Sequence, residues 1–599
     1  MKNSVKAVAF GLLIGGSTLL FTPFVFTPFV RSQPAGGPDI VYHSGHIVTI
    51  DDDFTIVEAL AVRDGKIVAL GSNADIKALA LEETRLVDLG EKTVLPGLYD
   101  SHVHLSFGGG GNTLDLRHAK TIEELQETLK KEVTPIPEGQ WIFGRISETS
   151  FPELKLPTRW ELDEATPRHP MALRLGFRLW VVNSLALEKA GITRATPDPQ
   201  GGKIARDERG VPNGILREPA AQRMVGRLLP PSPRLQDETA RRNVRAFLRE
   251  LVSLGITSIN VAGLRPGNQL RWVQDSYQRW GEELPRMTVQ LQVRPGADGH
   301  DDIEEGVREA IRDIEGVSFH TGFGNDRLKL GAIKMGVDGG STALTAWVLE
   351  PYPDGSLGLN TIPQSAFYAV AKRAHDLGWQ IGIHAVGDAA VQMTVNVFER
   401  ILGESPREDH RHYLHHVAIL PPEDTLRKMA DLGILVSSQP SFTYELAPNY
   451  EAALSGKRLE TNNPQRSLLE RGIRMAYGSD HRPYGPIVGI WAAVNRMGRN
   501  GKIYGPSEAV SVKEAIRLHT MGPAYLTFDE NNRGSLEVGK WADMVVLTED
   551  ILSVDPVRIR EIGIEKTIIQ GEIVYSADIP KIARFDDGVV WTVENLSGE

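Results

Sequence analysis

The sequence predicts an α/β protein: a (β/α)8 TIM-like barrel, a discontinuous β-sandwich domain drawn from both termini, and a subdomain inserted after the first barrel strand. Three observations predict it. Between residues 94 and 480, eight short apolar runs alternate with stretches of helical spacing, the pattern of parallel βα units. Both ends of the chain are instead rich in short strands punctuated by Gly, Asp and Asn turns. The first two apolar runs, at 94–104 and 256–262, are too far apart for one crossover, so a subdomain must lie between them.

Residues 1–37 are set aside from the fold. Lys2 and Lys6 precede an uncharged stretch at 7–30, closed by Arg31. This is the make-up of a signal peptide or a membrane anchor. It places the protein outside the cytoplasm, in the periplasm or beyond, with membrane attachment through this segment as one form. Residues 38–95 form the first part of the sandwich, with strands expected at 40–42, 47–50, 60–62, 66–70 and 85–88. The barrel is assigned to 96–530, with its insert at about 112–250. Its strands are expected at 94–104, 256–262, 287–294, 328–336, 380–384, 412–416, 434–438 and 473–480. Helices are expected at 364–377, 389–402 and 423–432. Residues 531–599 complete the sandwich, with strands at 544–547, 566–571 and 572–575, and a tail.

Composition narrows the function. The net charge is −11, with acids and bases mixed and no long basic block, which argues against a nucleic-acid partner. A single long apolar stretch argues against a transporter. Cysteine is absent, so any metal must sit on imidazole, carboxylate or other oxygen donors. Nothing in the composition fixes the oligomeric state.

The chain is organised around residues 94–104, where an apolar run reaches Pro96-Gly97 and delivers His102 and His104, ahead of glycines 108–111. Side chains at i and i+2 of a strand share a face, so both imidazoles can address one point. In a barrel the chemistry gathers at the carboxyl ends of the strands. Ionisable residues at those ends are His102 and His104 on the first strand, Lys334 on the fourth, His384 on the fifth, His416 on the sixth and Asp480 on the eighth. Imidazoles and one carboxylate on one face suit a divalent ion such as zinc, manganese or iron.

With Pro96-Gly97, Asp100-Ser-His-Val-His104, Leu330-Gly-Ala-Ile-Lys334, Asp338-Gly339, His384-Ala-Val-Gly-Asp388, His416 and Gly478-Ser-Asp480 in view, the chain resembles the amidohydrolase superfamily, in its amidohydrolase 3, YtcJ-like branch. The resemblance extends from about residue 38 to 578 and includes the closing segment Gly534 to Asp543. It implies a metal-dependent hydrolase of a C–N bond in a small molecule: an amide, N-acyl, N-formyl or cyclic imide group. It implies His102, His104, His384, His416 and Asp480 as ligands of one or two metals, zinc first. It also implies Lys334 as a lysine carboxylated by CO2, and Asp480 as the general base toward metal-activated water. Two other readings stand beside it. One is an esterase or lactonase on the same site. The other is an exported metal-binding pseudoenzyme with a binding or regulatory role.

The chain departs from the branch in three places. His415 stands where relatives usually have Glu. Arg178 stands for a frequent His in the segment Gly176 to Asn183. The second strand ends without a His-Asp pair. Arg178 and Asn183 are accordingly the candidate substrate-binding residues, Arg178 toward an anionic group. Glu218 matches a recurrent glutamate of the branch, without an assigned role. Asp388 is expected to cap the helix that follows it, and Ser511 to open a capping box with Glu514. His118, His412 and His481 have no partner pattern and are read as non-catalytic.

Overall fold

The structure is a computed structural model of the chain, and it describes residues 36–108, 113–147, 150–151, 155–231, 235–481 and 484–581. The uncharged leader at 7–30, glycines 109–111 and the tail from 582 lie outside the described residues. No helix among the described residues is long and apolar enough to cross a membrane.

The eight apolar runs form an eight-stranded parallel sheet in which each strand pairs with the next in the chain. The strands are Leu98–Val103, Ile256–Leu264, Arg286–Gln292, Leu328–Gly336, Ile381–Ala385, Tyr413–His416, Leu435–Ser438 and Met475–Tyr477. The ring closes just past the eighth strand, where Val103 and Asp480 form a parallel bridge and the Asp480 N–H donates to the His102 carbonyl at 2.7 Å. Gly478 makes that approach feasible, because a Cβ there would lie 2.5 Å from the His102 nitrogen. Valine, isoleucine and leucine from successive strands (Val261, Val289, Ile333, Ile383, Leu414, Val436) are fully buried against the surrounding helices. Helices Gln364–Asp376, Asp388–Glu404 and Glu423–Asp431 lie between consecutive strands, near their expected bounds. The fold is a (β/α)8 barrel, nearly closed.

The expected first strand is two strands. Thr93–Pro96 pairs with His46–Val48 and with Met544–Leu547 in another sheet, and only Leu98–Val103 enters the barrel. The break is at Gly97, whose backbone presses on Thr257 so closely that a Cβ would stand 2.1 Å from its Oγ1. Hydrophobic periodicity runs unbroken through this corner because both sides are buried. The sheet of Thr93–Pro96 has six strands and takes members from both ends of the chain; a four-stranded sheet holds Ile40–His43, Ala59–Arg63, Lys66–Gly71 and Arg85–Asp88. A further six-stranded sheet, from Thr113–Asp115 to Pro212–Arg217, lies in sequence between barrel strands one and two.

A buried ion pair ties the barrel to the terminal sheets. Arg286, opening the third barrel strand, donates through Nε and Nη2 to Asp543 at 2.7 and 3.2 Å, and the two side chains are 1% and 3% exposed. Burial pushes the Asp543 carboxyl up, but Arg286 and the Gln570 N–H more than offset this and hold it low. A depressed folded-state pKa stabilises the fold above the unfolded value of ~3.9, and that stabilisation is lost on acidification below it. Asp543→Asn leaves a buried guanidinium without its counter-charge and is expected to cost about 3–5 kcal/mol. A lowered urea midpoint would report it; an unchanged midpoint would show the pair to be dispensable.

Two helix starts refine expectation. Ser511 forms its capping box with Glu514, on a helix that runs Val512–Leu518. Asp388 is the first residue of its helix, not the cap, which is Gly387. Its Oδ1 instead accepts from the Leu349 N–H at 3.0 Å, fastening the loop after the fourth strand.

Candidate metal centre

Three donors meet where the barrel closes. The Nε2 atoms of His102 and His104 are 3.3 Å apart, and Asp480 Oδ1 lies 3.4 Å from the first and 3.2 Å from the second. Among the described residues this is the cluster whose donor atoms all approach one another closely enough to share an ion. His102 is buried and His104 is half open, so the trio has a protected side and an accessible one. Burial raises the Asp480 carboxyl, but His104, His416 and His481 outweigh it and hold it well below the ordinary carboxylate range. Burial keeps His102 neutral, with a lone pair to offer.

Supporting groups fix these donors, a role that sequence reasoning assigned to none of them. Asp100 is buried on the strand that carries His102. It accepts from the N–H groups of His102 and Ser479, each at 3.0 Å, and from the Ser479 hydroxyl. One carboxylate thus locks the histidine strand to the Asp480 loop. Burial, first of all, pushes it up to about 7. Its signals in the sequence were its place in the segment Asp100 to His104 and a carboxylate in an apolar strand, at i−2 from His102. Gln439, just past the seventh strand, takes the His416 Nδ1–H on its Oε1 at 2.7 Å, which leaves Nε2 of His416 as the free donor. Its amide nitrogen lies 3.4 Å from His102 Nδ1. His415, in the place of the usual Glu, is fully buried, donates through Nε2 to Gln290 Oε1 at 3.0 Å, and stacks edge-on against His102.

Lys334 is buried, and its Nζ has no hydrogen-bond partner. Burial, with Arg178 adding to it, pushes the amine down to about 7 despite the attraction of Asp480. His384 and His416 rings lie 4.5 Å apart, and His416 lies 5.0 Å from His102. The expected histidines therefore converge, but His384 is already engaged. Arg178 Nη2 donates to its Nε2 at 2.8 Å, and the Gly339 carbonyl lies 3.0 Å from the same nitrogen.

Both expected substrate contacts are engaged within the protein. Arg178 sits at a hairpin of the inserted sheet, and its guanidinium is spent on protein: Nη2 on His384, and Nη1 on Glu218 at 2.6 Å and the Asp338 carbonyl at 3.3 Å. This gives Glu218 its role, as the fully buried counter-charge of Arg178, held also by the Thr345 hydroxyl. Asn183 is buried and bonded on all sides. Its amide donates to the carbonyls of Thr166 and His169, and its oxygen accepts from Met171 and Ala186 as a helix cap. An Asn before a helix carries the same residue signature whether it caps or binds.

Several residues of this region hold left-handed backbone, among them Glu218 at φ 65°, His416 at 77° and Asp480 at 64°. Such a conformation costs a non-glycine residue about 1–3 kcal/mol, and it clusters at working sites.

A parallel barrel with a His-x-His pair ending its first strand and an aspartate following its eighth defines a metal-dependent hydrolase. The model of the Amidohydrolase family matches residues 85–575, and the chain belongs to that family. It acts on carbon–nitrogen bonds. It is similar to the putative amidohydrolase YtcJ of Bacillus subtilis, at 29% identity over 89% of this chain and 99% of that one. It is also similar to an N-substituted formamide deformylase of Arthrobacter pascens, at 28% identity over 90% and 98%. Among solved structures, a metal-dependent hydrolase of Pyrococcus horikoshii OT3 superposes with a TM-score of 0.63 at 25% identity, over 86% of this chain and 99% of that one.

Proposed function

We propose that the chain hydrolyses an N-acyl or N-formyl amide with the help of a divalent metal, zinc first, held by His102, His104 and Asp480. The convergence of those three donor atoms within 3.2–3.4 Å of one another carries the reading. The donor set also fits chemically: two imidazoles and a carboxylate suit zinc, manganese or iron, and thiolates are absent. The deformylase activity of the Arthrobacter relative supports the N-formyl end of the substrate range.

A divalent metal at this place supplies Lewis acidity, which lowers the pKa of water toward ~7 and polarises the substrate carbonyl. Asp480 takes the proton of the attacking water on its carboxylate. The water oxygen bonds to the carbonyl carbon. As the C–N bond breaks, Asp480 returns the proton to the leaving nitrogen, so a carboxylic acid and an amine depart. Asp100 and Gln439 hold His102, His416 and the Asp480 loop in register during the cycle.

Lys334 joins this reading as a carbamate. A buried amine with no partner is the nucleophilic form that CO2 takes up. The resulting anion would face the metal and the Arg178 guanidinium, both cationic. Arg178 also bears on stoichiometry. A guanidinium 2.8 Å from His384 Nε2 repels a second dication there, so the chain is expected to hold about one metal. Arg178→His removes that charge, and is expected to raise the content toward about two per chain by elemental analysis. An unchanged content would show that Arg178 does not set the number.

The basic and then uncharged leader, Lys2 to Arg31, supports export of the enzyme. The decisive experiment for the activity is a panel of N-formyl and N-acyl amines incubated with the metal-reconstituted protein, with amine release as the readout. Release that stops with a chelator and resumes with zinc or manganese is the expected result. No release from any member would leave a metal-binding protein without this chemistry.

A further inference from the structure

The accessible side of the metal centre opens into a cleft of about 260 Å³, whose walls include His104, Phe107, Gln269, Gln292, Arg265 and Arg294. The two arginines follow neighbouring barrel strands, Ile256–Leu264 and Arg286–Gln292, at the same end as His104. Neither is in an ion pair among the described residues. Among the described residues no carboxylate lies within 4.0 Å of either guanidinium, although most buried arginines of this chain, Arg178 and Arg286 included, have one. Arg294 donates through Nη2 to Gln292 Oε1 at 3.2 Å, and its Nε is buried with no partner at all. Asp298 attracts Arg294 only at longer range. Burial and then the charge of Arg265 push the Arg294 guanidinium down, so the two cations feel each other across the cleft.

The arrangement is preformed. The Arg265 N–H donates to Gln269 Oε1 at 3.2 Å, which ties down the loop that presents it. The Arg294 guanidinium packs 5.6 Å from the ring of Phe177, on the same hairpin of the inserted sheet as Arg178. Holding two like charges together, one with an orphaned N–H, is unfavourable in an empty cleft. An anion entering between them relieves both costs. A planar carboxylate matches the donor fork of a guanidinium, and such pairing is directional as well as strong.

We propose that the cleft formed by Arg265 and Arg294 binds a carboxylate of the substrate, making the substrate an N-acyl or N-formyl amino-acid-like compound with its scissile amide at His104. This rests on the amide-hydrolase reading above and adds to it a negatively charged amine portion. Arg178, the arginine first expected in this role, is already neutralised by Glu218.

The test is a matched pair of substrates, an N-acyl amino acid and the same compound with its carboxylate converted to a methylamide. It uses the full metal-loaded protein. The expected result is a kcat/KM about 10- to 100-fold higher for the carboxylate, expressed mainly in KM. That ratio should collapse toward one in Arg265→Gln and in Arg294→Gln, and Arg265→Lys should keep part of it. Arg265 is exposed, so its variants are expected to fold even if those of Arg294 do not. Equal or better turnover of the methylamide by the unmodified protein would overturn the inference and leave the hydrolase intact. A preference that survives both Gln variants would do the same. No turnover of either compound would overturn the hydrolase reading and this inference with it.

Discussion

Replacing Asp480 by asparagine is expected to lower kcat for amide hydrolysis by about 10³-fold, with the chain folded and the cleft intact. Asparagine keeps the size of the side chain and one acceptor oxygen. It also tolerates the left-handed backbone that Asp480 adopts at φ 64°. What it lacks is a basic oxygen. In the protein that oxygen is kept ionised by His104, His416 and His481 against the cost of burial, so it is free to accept a proton at neutral pH. Asp480 also serves as a metal donor, and the experiment must separate the two roles. Metal content measured on the same sample does so. A variant that keeps its metal and loses its rate has lost the base. Activity within about tenfold of the parent would move the base to another group.

The second large effect is on the metal itself. His102→Ala is expected to weaken metal binding by at least about 100-fold, since even partners behind the ligands change affinity by 10- to 100-fold. His102 is buried, and its Nε2 is 3.3 and 3.4 Å from the other two donors. Chelator competition measures the change. His118→Asn is the control, because that histidine is exposed and bonds Thr128, not a donor of the centre. Equal weakening in both variants would remove His102 from the centre.

The barrel was legible because its strands are short, apolar and separated by helical periods, so most runs announced themselves within a residue or two. The corner at Gly97 was not, because a chain buried on both sides of a turn gives no change of period. The three donors that meet were legible from spacing and from their place at strand ends. Their supports were harder to see. Asp100 touches Ser479, Gln439 lies between His102 and His416, and Arg178 reaches His384 across 206 positions of sequence. Such contacts are made by the closing of the barrel and by the docking of the inserted hairpin, and no local pattern encodes them. Arg178 illustrates the limit well. Its departure from the branch was visible, but its residue type fits an anion contact and an internal ion pair equally, and only the buried Glu218 decides between them.

The left-handed backbone of Asp480 has a consequence for anyone evolving this enzyme for heat tolerance. Glycine relieves that backbone conformation, at the expense of a more flexible unfolded chain, for a net gain on the order of 1 kcal/mol. A laboratory selection that scores melting temperature alone would therefore drift toward glycine at this position and discard the chemistry as it did so. Run deliberately, with activity left unscored, the same selection becomes a survey instrument: the sites where heat resistance rises by losing a side chain outline the working surface before any substrate is known.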